Sequence, residues 1–593
     1  MTQPPDPQAA FAAAERAYLE GRLAEARAAL APLMRVSHPA VHHLCAVVEH
    51  GLGDHVAARR QFEAAARLAP GDPDICSNFG RFLAQIGEDA AALDAYERAL
   101  RLAPDFGDAA FNRALLLRRL GRLDEAGDAF RALTKTSPRD PRYWNGLAAT
   151  ERESGDLSAA AAAYDQALAA APADKLASVG RARVALEREE DDALERYRAA
   201  RRQAPGDPEL ALDEAEARLG RGDRSALDDL TALVRSLPNW THGQIALARM
   251  RWEQGERNDF ADHVEALLAR EPARAPLWRD YIQLLADCGE PARAAEAARR
   301  ARGALADDPP LRLVEAVHAG KAGQLKRAER LFATLGPDTP GRHLNEAVHR
   351  IRRGELDRAV RLVEAALAED GGDFAAWGVA ETLYRKIGDE RGAWLSAQPG
   401  LIGISQLALE PAAFRALDTL LLTLHRDTVE AVGQSVSGGT QTRWRLFDRA
   451  EPELAGLRGA IEQALAEHVA GLPARDHRHP LLRHRDRKMT IGPSWSVRFL
   501  GAGHHVPHYH PKGVISSACY FRVPPSGGAG QAGWLEIGRP PADFLMELEP
   551  IQTIEPRPGR LVLFPSYLFH GTRPFFAGER MSVAFDVGAS GDA

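Results

Sequence analysis

The stretch "DICSNFGRFLAQIGEDAAALDAYERALRLAP", Asp74–Pro104, has apolar residues at helical spacing on both sides of Gly87. That spacing predicts a helix, a tight turn at the glycine and a second helix. Pro104 cannot continue the second helix and marks its end. Gly80 and Ala92 are small enough to let the paired helices approach closely, and Tyr96 is placed to fill the space between neighbouring hairpins. One such hairpin cannot bury its apolar face alone, so hairpins must stack.

The unit recurs along the chain. Pro70, Pro104, Pro138, Pro172, Pro205, Pro238 and Pro272 follow one another at intervals of 33 or 34 residues. Gly53, Gly87, Gly121 and Gly155 keep the same beat, as do Ala58, Ala92, Ala126 and Ala160, and the aromatics Phe62, Tyr96, Phe130 and Tyr164. A register held at several kinds of position is an internal repeat. Weaker copies at 344–367 and 377–397 carry it to about residue 400. The segment resembles the tetratricopeptide repeat. The resemblance implies an all-α superhelix whose concave groove binds a peptide or a partner protein. Asn78 and Asn112 share one position of the repeat and are the candidate partner-binding residues, since some members of the family grip a ligand backbone with asparagines there. Gly146 holds that place in the next unit.

The whole composition sets outer limits. At 593 residues the chain exceeds one core, so several domains or a repeat array are expected. A net charge of -7 argues against a dedicated nucleic-acid binder. The N-terminus shows no basic segment followed by an apolar run, and no apolar run is long enough to span a bilayer, so neither a signal peptide nor a membrane anchor is expected. Cys45, Cys76, Cys288 and Cys519 form no CxxC pair, which fits unpaired thiols in a reducing, cytoplasmic setting.

After about residue 400 the beat is lost. Residues 413–432 and 454–472 read as amphipathic helices. The Gly-rich Ser435–Thr442 between them reads as a loop without the lysine of a phosphate cradle. Arg475–Lys488, crowded with Arg and His, reads as a solvated connector. From about 489 the pattern becomes all-β: "SWSVRFL", "VISSACYFRV", "GWLEI", "GRLVLF" and "ERMSVAFDV" are short apolar runs separated by Pro and Gly. The expected organisation is therefore a repeat superhelix over 1–400, a helical linker over 401–487 and a β-domain over 488–593.

The chemistry lies in that last part. "HHVPHYHPKG", His504–Gly513, holds four of the chain's 20 histidines. His508 and His510 are two apart, so on an extended chain they point the same way. His570 follows the strand "GRLVLF", and ten residues later Arg580 and Ser582 again share one strand face. Two ligands on one strand and a distant third occupy one side of a metal and leave positions open, as in the facial triad of non-haem iron oxygenases. A guanidinium beside such a metal suits a carboxylate, which its planar fork binds bidentately. His504 and His505 read as loop residues.

The segment from about 430 to 588 resembles the Fe(II)- and 2-oxoglutarate-dependent oxygenases, in particular a bacterial group related to the prolyl hydroxylases. The likeness rests on His508-Tyr509-His510-Pro511, "ISSACYF", Gly559 to His570, and Pro574 to Ser582, with "GGTQT" and "HPLL" upstream. It implies a double-stranded β-helix (jelly-roll) fold, Fe(II) held by His508, His510 and His570, and 2-oxoglutarate held by Arg580 and Ser582 with Tyr520 in reach. Dioxygen is then the oxidant, the products are succinate and a hydroxylated C–H bond, and no protein general base is required. The family usually has a carboxylate where this chain has His510. Either the site is an all-histidine triad, or His510 stands behind a ligand water. The substrate expected from the repeat array is a peptide or protein side chain. Two alternatives stay open: a repeat scaffold with an inactive oxygenase-like domain, and an oxygenase acting on a small molecule.

Overall fold

A computed structural model of the chain describes residues 6–425, 432–433, 435–524 and 530–589. The predicted hairpins are present. Asp-Pro pairs start many of their first helices: Asp72 caps Pro73–Gln85, Asp140 caps Pro141–Ser154, Asp207 caps Pro208–Leu219 and Asp308 caps Pro309–Lys321, each accepting a hydrogen bond from a first-turn N–H. Proline suits the first helical position because its missing N–H would be unpaired there anyway. The turns close on left-handed residues at Gly21, Gly53, Gly87, Gly121 and Gly155, then Gly222, Gly255, Gly289, Gly323, Gly354 and Gly388. Between the two series the same place is taken by Glu189, a non-glycine with φ of 52°. The structural beat thus runs to Gly388, further than the prolines carry it.

The chain divides into two compact units, one ending at Val184 and the other beginning at Ala185. In the first, Pro73–Gln85 packs on Gly107–Arg119, which packs on Pro141–Ser154. A methyl group added to Gly80 would come within 2.9 Å of the Tyr96 ring, and one on Gly146 within 2.3 Å of Phe130. The small residues therefore do admit the aromatics between helices. In the second unit, Pro208–Leu219, Thr241–Glu253 and Ala275–Asp287 continue the same stacking.

The second unit also contains the β-domain. Its strands are β1 (Gly403–Gln406), β2 (Val436–Gln441), β3 (Met489–His505), β4 (Ile515–Arg522), β5 (Leu535–Ile537), β6 (Gln552–Ile554), β7 (Arg560–Pro565), β8 (His570–Thr572) and β9 (Glu579–Ala589). They form a six-stranded antiparallel sheet in the order β1-β7-β4-β9-β3-β2 and a three-stranded sheet in the order β6-β5-β8, a jelly-roll. One hydrophobic core runs from Ala347 through Leu383, Leu395, Leu421 and Ile461 to Phe564 and Val587. The last hairpins, the helices Pro411–Leu424 and Pro452–Gly471, and the large sheet are thus packed as one body.

Three readings need correction. Ser435–Thr442 is not a loop between helices: Val436–Gln441 is the edge strand β2, paired with β3 around a bulge near Gly438, whose φ is 76°. His504 and His505 are not loop residues but the end of β3, opposite Ser437 and Val436. The Arg/His-rich connector is only partly solvated, since His479, Leu481, Leu482 and His484 are buried. Of the helix read over 413–432, residues 426–431 lie outside the described residues. Among the described residues no helix is long and apolar enough to cross a membrane.

Candidate metal centre

His508 and His570 face each other across an antiparallel bridge. His508 N–H donates to His570 O (3.0 Å), and His570 N–H donates to His508 O (2.8 Å). Directly opposed residues of an antiparallel pair project to the same face, and the two rings lie 4.3 Å apart. His510 is carried onto that side by its backbone N–H, which donates to Ser566 O (3.0 Å). The ligand atoms of His508, His510 and His570 all lie within 4.8 Å of one another.

Each ring is fixed from behind. His508 Nδ1 donates to Val506 O (2.8 Å) and His570 Nδ1 to Leu568 O (3.0 Å). A carbonyl can only accept, so in both rings the proton sits on Nδ1 and the Nε2 lone pair faces inward. Burial, and secondarily the neighbouring imidazoles, hold His508 down at about 3 and His570 well below the usual histidine range. Both are neutral and ready to ligate. His508 Nε2 and His510 Nε2 stand 3.0 Å apart. Adjacent ligands with metal–imidazole bonds of about 2.1 Å at right angles are separated by about 3 Å, so the donor set fits one ion.

The strand β9 supplies the rest. Arg580, Ser582 and Asp586 alternate along it and share one face. Arg580 is 1% exposed, Ser582 is opposite Tyr520 of β4, and Tyr520 is fully buried. Arg580 Nη1 reaches the Ser582 hydroxyl at 3.4 Å, while its Cζ lies 5.2 Å from the Tyr520 ring and 5.9 Å from that of Phe499. Among the described residues, Arg580 Nε and the Tyr520 hydroxyl are buried without a well-formed hydrogen bond, and the two side chains attract each other. Among the described residues no carboxylate pairs with this guanidinium, and a buried cation left so is costly unless an anion arrives. The cradle fits the far carboxylate of 2-oxoglutarate.

Sequence reasoning missed four residues of this neighbourhood. Asp586 accepts from His510 Nδ1 at 2.5 Å, and Ser516 Oγ donates to the same carboxylate oxygen at 2.8 Å. The period-two pattern Arg580, Ser582, Ala584, Asp586 was the signal for it. His505 lies 6.1 Å from His508, ring to ring, and 5.2 Å from Phe499. Burial first, then the charge of Arg580, holds it well below its usual range. Ser435 Oγ lies 3.2 Å from His505 Nδ1 and 3.3 Å from His508 Nε2, and nothing local marked it.

Residues 493–586 match the family model described as "Putative 2OG-Fe(II) oxygenase". The oxygenase match takes in His508, His510, His570, Arg580, Ser582 and Asp586, and leaves Ser435 outside. Residues 79–141 and 145–208 match the tetratricopeptide repeat model. The chain therefore joins segments that match tetratricopeptide repeats to a segment that matches the putative 2OG-Fe(II) oxygenase model. Among solved structures, it is similar to the protein titled "Functional Characterization of Pseudomonas Aeruginosa pilF", at 18% identity, covering 36% of this chain and 96% of that one with a TM-score of 0.32. It is also similar to a tetratricopeptide repeat protein from Parabacteroides merdae (17% identity, 38% and 91% coverage, TM-score 0.32). The C-terminal part of a repeat protein from Cytophaga hutchinsonii matches at 16% identity, with 46% and 98% coverage and a TM-score of 0.31. No curated protein matches the chain.

Asn78 and Asn112 lie on the first helices of consecutive hairpins, Pro73–Gln85 and Gly107–Arg119, and both are half-buried. In the next hairpin the neighbouring Asn145 donates to Asp174 at 3.2 Å, tying two elements of the array together.

Proposed function

We propose that the chain is an Fe(II)- and 2-oxoglutarate-dependent hydroxylase acting on a side chain of a peptide or protein, which the repeat array recruits. The observation that carries this reading is the combination of three inward-facing imidazoles with a buried guanidinium that has no anion. The His505 ring lies between the two parts, 6.1 Å from His508 and 5.2 Å from Phe499, whose ring is in turn 5.9 Å from the Arg580 guanidinium. In this reading His508, His510 and His570 hold the iron through Nε2. The carbonyls of Val506 and Leu568 keep the first and third rings in the ligating tautomer. Arg580 and Ser582, with the Tyr520 hydroxyl, bind and orient the far carboxylate of the co-substrate. With iron and 2-oxoglutarate bound, the centre supplies dioxygen activation and transfer of one oxygen atom to a C–H bond. The chain's own part is positioning in a site walled by Phe499, Tyr520 and Phe564, the last with its ring 4.6 Å from His570.

Asn78 and Asn112 belong to this proposal as points where the array grips a bound backbone. Four free cysteines, three of them buried, support a reducing cytoplasmic setting. The test is turnover: iron-loaded protein is incubated with 2-oxoglutarate and succinate is measured. Partners captured by a His570→Ala variant are then returned to the parent enzyme and analysed for a gain of one oxygen atom. Succinate release that rises with a captured partner is expected. No release under any condition overturns the reading.

A further inference from the structure

The family's carboxylate ligand is absent from the triad, yet a carboxylate stands directly behind it. Asp586 is 8% exposed and has no lysine or arginine within ion-pairing distance among the described residues. Its oxygen Oδ1 is approached by two groups: His510 Nδ1 at 2.5 Å and the fully buried Ser516 hydroxyl at 2.8 Å. Ser516 is its cross-strand neighbour and is in turn 2.9 Å from the Ser566 hydroxyl. Gly513 allows the loop to close over this group, since a methyl there would come within 3.0 Å of Ser566 Oγ and 3.1 Å of Asp586 Cβ. A buried carboxylate that no lysine or arginine pairs is costly. A divalent ion on the far side of His510 would balance it.

We infer that Asp586 is the positioning residue for the metal: it fixes His510 with Nε2 toward the ion and returns, through the imidazole, the negative charge that the triad lacks. This rests on the metal centre proposed above. Imidazoles that ligate a metal commonly pass their second N–H to a carboxylate, and removing that partner weakens metal binding about 10–100-fold.

The test is anaerobic Co(II) titration of the full chain, followed by calorimetry and by the visible spectrum of the bound ion, with thermal melts of each variant as a check on folding. Asp586→Asn keeps the shape and can still accept from His510, but loses the charge. It is expected to bind Co(II) at least 10-fold more weakly than the parent while melting as a folded protein. His510→Asp places a carboxylate in the triad itself. In that background a second carboxylate at 586 repels the first, so adding Asp586→Asn should leave Co(II) binding equal or tighter. A merely structural Asp586 predicts the same loss in both backgrounds, and that result overturns the proposal. Parent-like affinity in Asp586→Asn also overturns it while leaving the metal centre intact. A parent that binds no Co(II) overturns the metal centre, and the role of Asp586 with it.

Discussion

Replacing Arg580 by methionine should make the protein more stable and blind to its co-substrate. The guanidinium is almost wholly buried, and its Nε has no hydrogen-bond partner among the described residues. Its compensation is one serine hydroxyl at 3.4 Å and two aromatic faces, Tyr520 and Phe499. Cation–π contacts of this kind return about 1–2 kcal/mol. Swapping buried ionic groups for apolar side chains of similar volume is often stabilising by about 1–4 kcal/mol. The net expectation for Arg580→Met, taking the middle of each range, is a gain of about 1 kcal/mol, or roughly 2–4 °C in Tm. The parent gains from 2-oxoglutarate instead: a ligand at about 100 times its Kd adds about 2.7 kcal/mol. The assay is differential scanning fluorimetry with Mn(II) in place of iron, with and without 2-oxoglutarate. The parent should shift upward with the co-substrate. The variant should start higher and not move. A variant that melts lower than the parent and still responds to 2-oxoglutarate would refute the assignment of Arg580 as an anion receptor.

Other consequences are more local. Gly146→Ala gains helix propensity but drives a methyl into Phe130, so a net loss of about 1–2 kcal/mol is expected in denaturant melts. A fragment 401–593 lacks Ala347, Val363, Val379, Leu383 and Leu395 of the shared core and should show no cooperative melt, whereas 185–593 should keep the 2-oxoglutarate-dependent thermal shift. Burial holds His425, His468 and His479 at about 4. The unfolded chain takes up their protons below about pH 6.5 and the folded one does not, so stability falls from there toward pH 4. The loss is about 1.4 kcal/mol per histidine per pH unit, readable as a falling urea midpoint. Burial raises the thiols of Cys288 and Cys519 to about 12 and that of Cys45 to about 11. Alkylation of the folded protein at pH 8, followed by mass spectrometry, should therefore run about a thousandfold slower at Cys288 and Cys519, and about a hundredfold slower at Cys45, than at a free thiol.

The repeat was legible because its requirements are local. A left-handed turn wants glycine, a helix end tolerates proline, and a close helix pair wants a small residue facing an aromatic. Each leaves one residue at one fixed place in every unit. The beat faltered where geometry was met without the signature residue, as at Glu189, which takes the turn and whose carboxylate pairs with Arg449. The edge strand β2 was hidden for a related reason. "SVSGGTQ" is poor in β-branched and aromatic residues, and it is a strand because β3 offers it a partner, with Gly439 admitting the Phe499 ring at 2.6 Å from where a methyl would be. Pairing of that kind is settled by tertiary context.

At the site, the residues that a pattern could reveal were those two apart on one strand. His508 and His510 came from that rule, as did Arg580 and Ser582, and the same rule extended by two more steps reaches Asp586. What it could not supply was the partner across the sheet. That Ser516 stands opposite Asp586, and that His510 bends back to meet both, follows from the register of β4 on β9 and from the loop passing Gly513. This bears on the apparent defect of the triad. A histidine in place of a carboxylate leaves the iron with a higher charge only if nothing stands behind the ring. Here a buried carboxylate lies 2.5 Å from the ring's other nitrogen and, among the described residues, no lysine or arginine pairs with it. The arrangement moves the negative charge outward by one imidazole without removing it, so the substitution at 510 is weak evidence for an inactive domain.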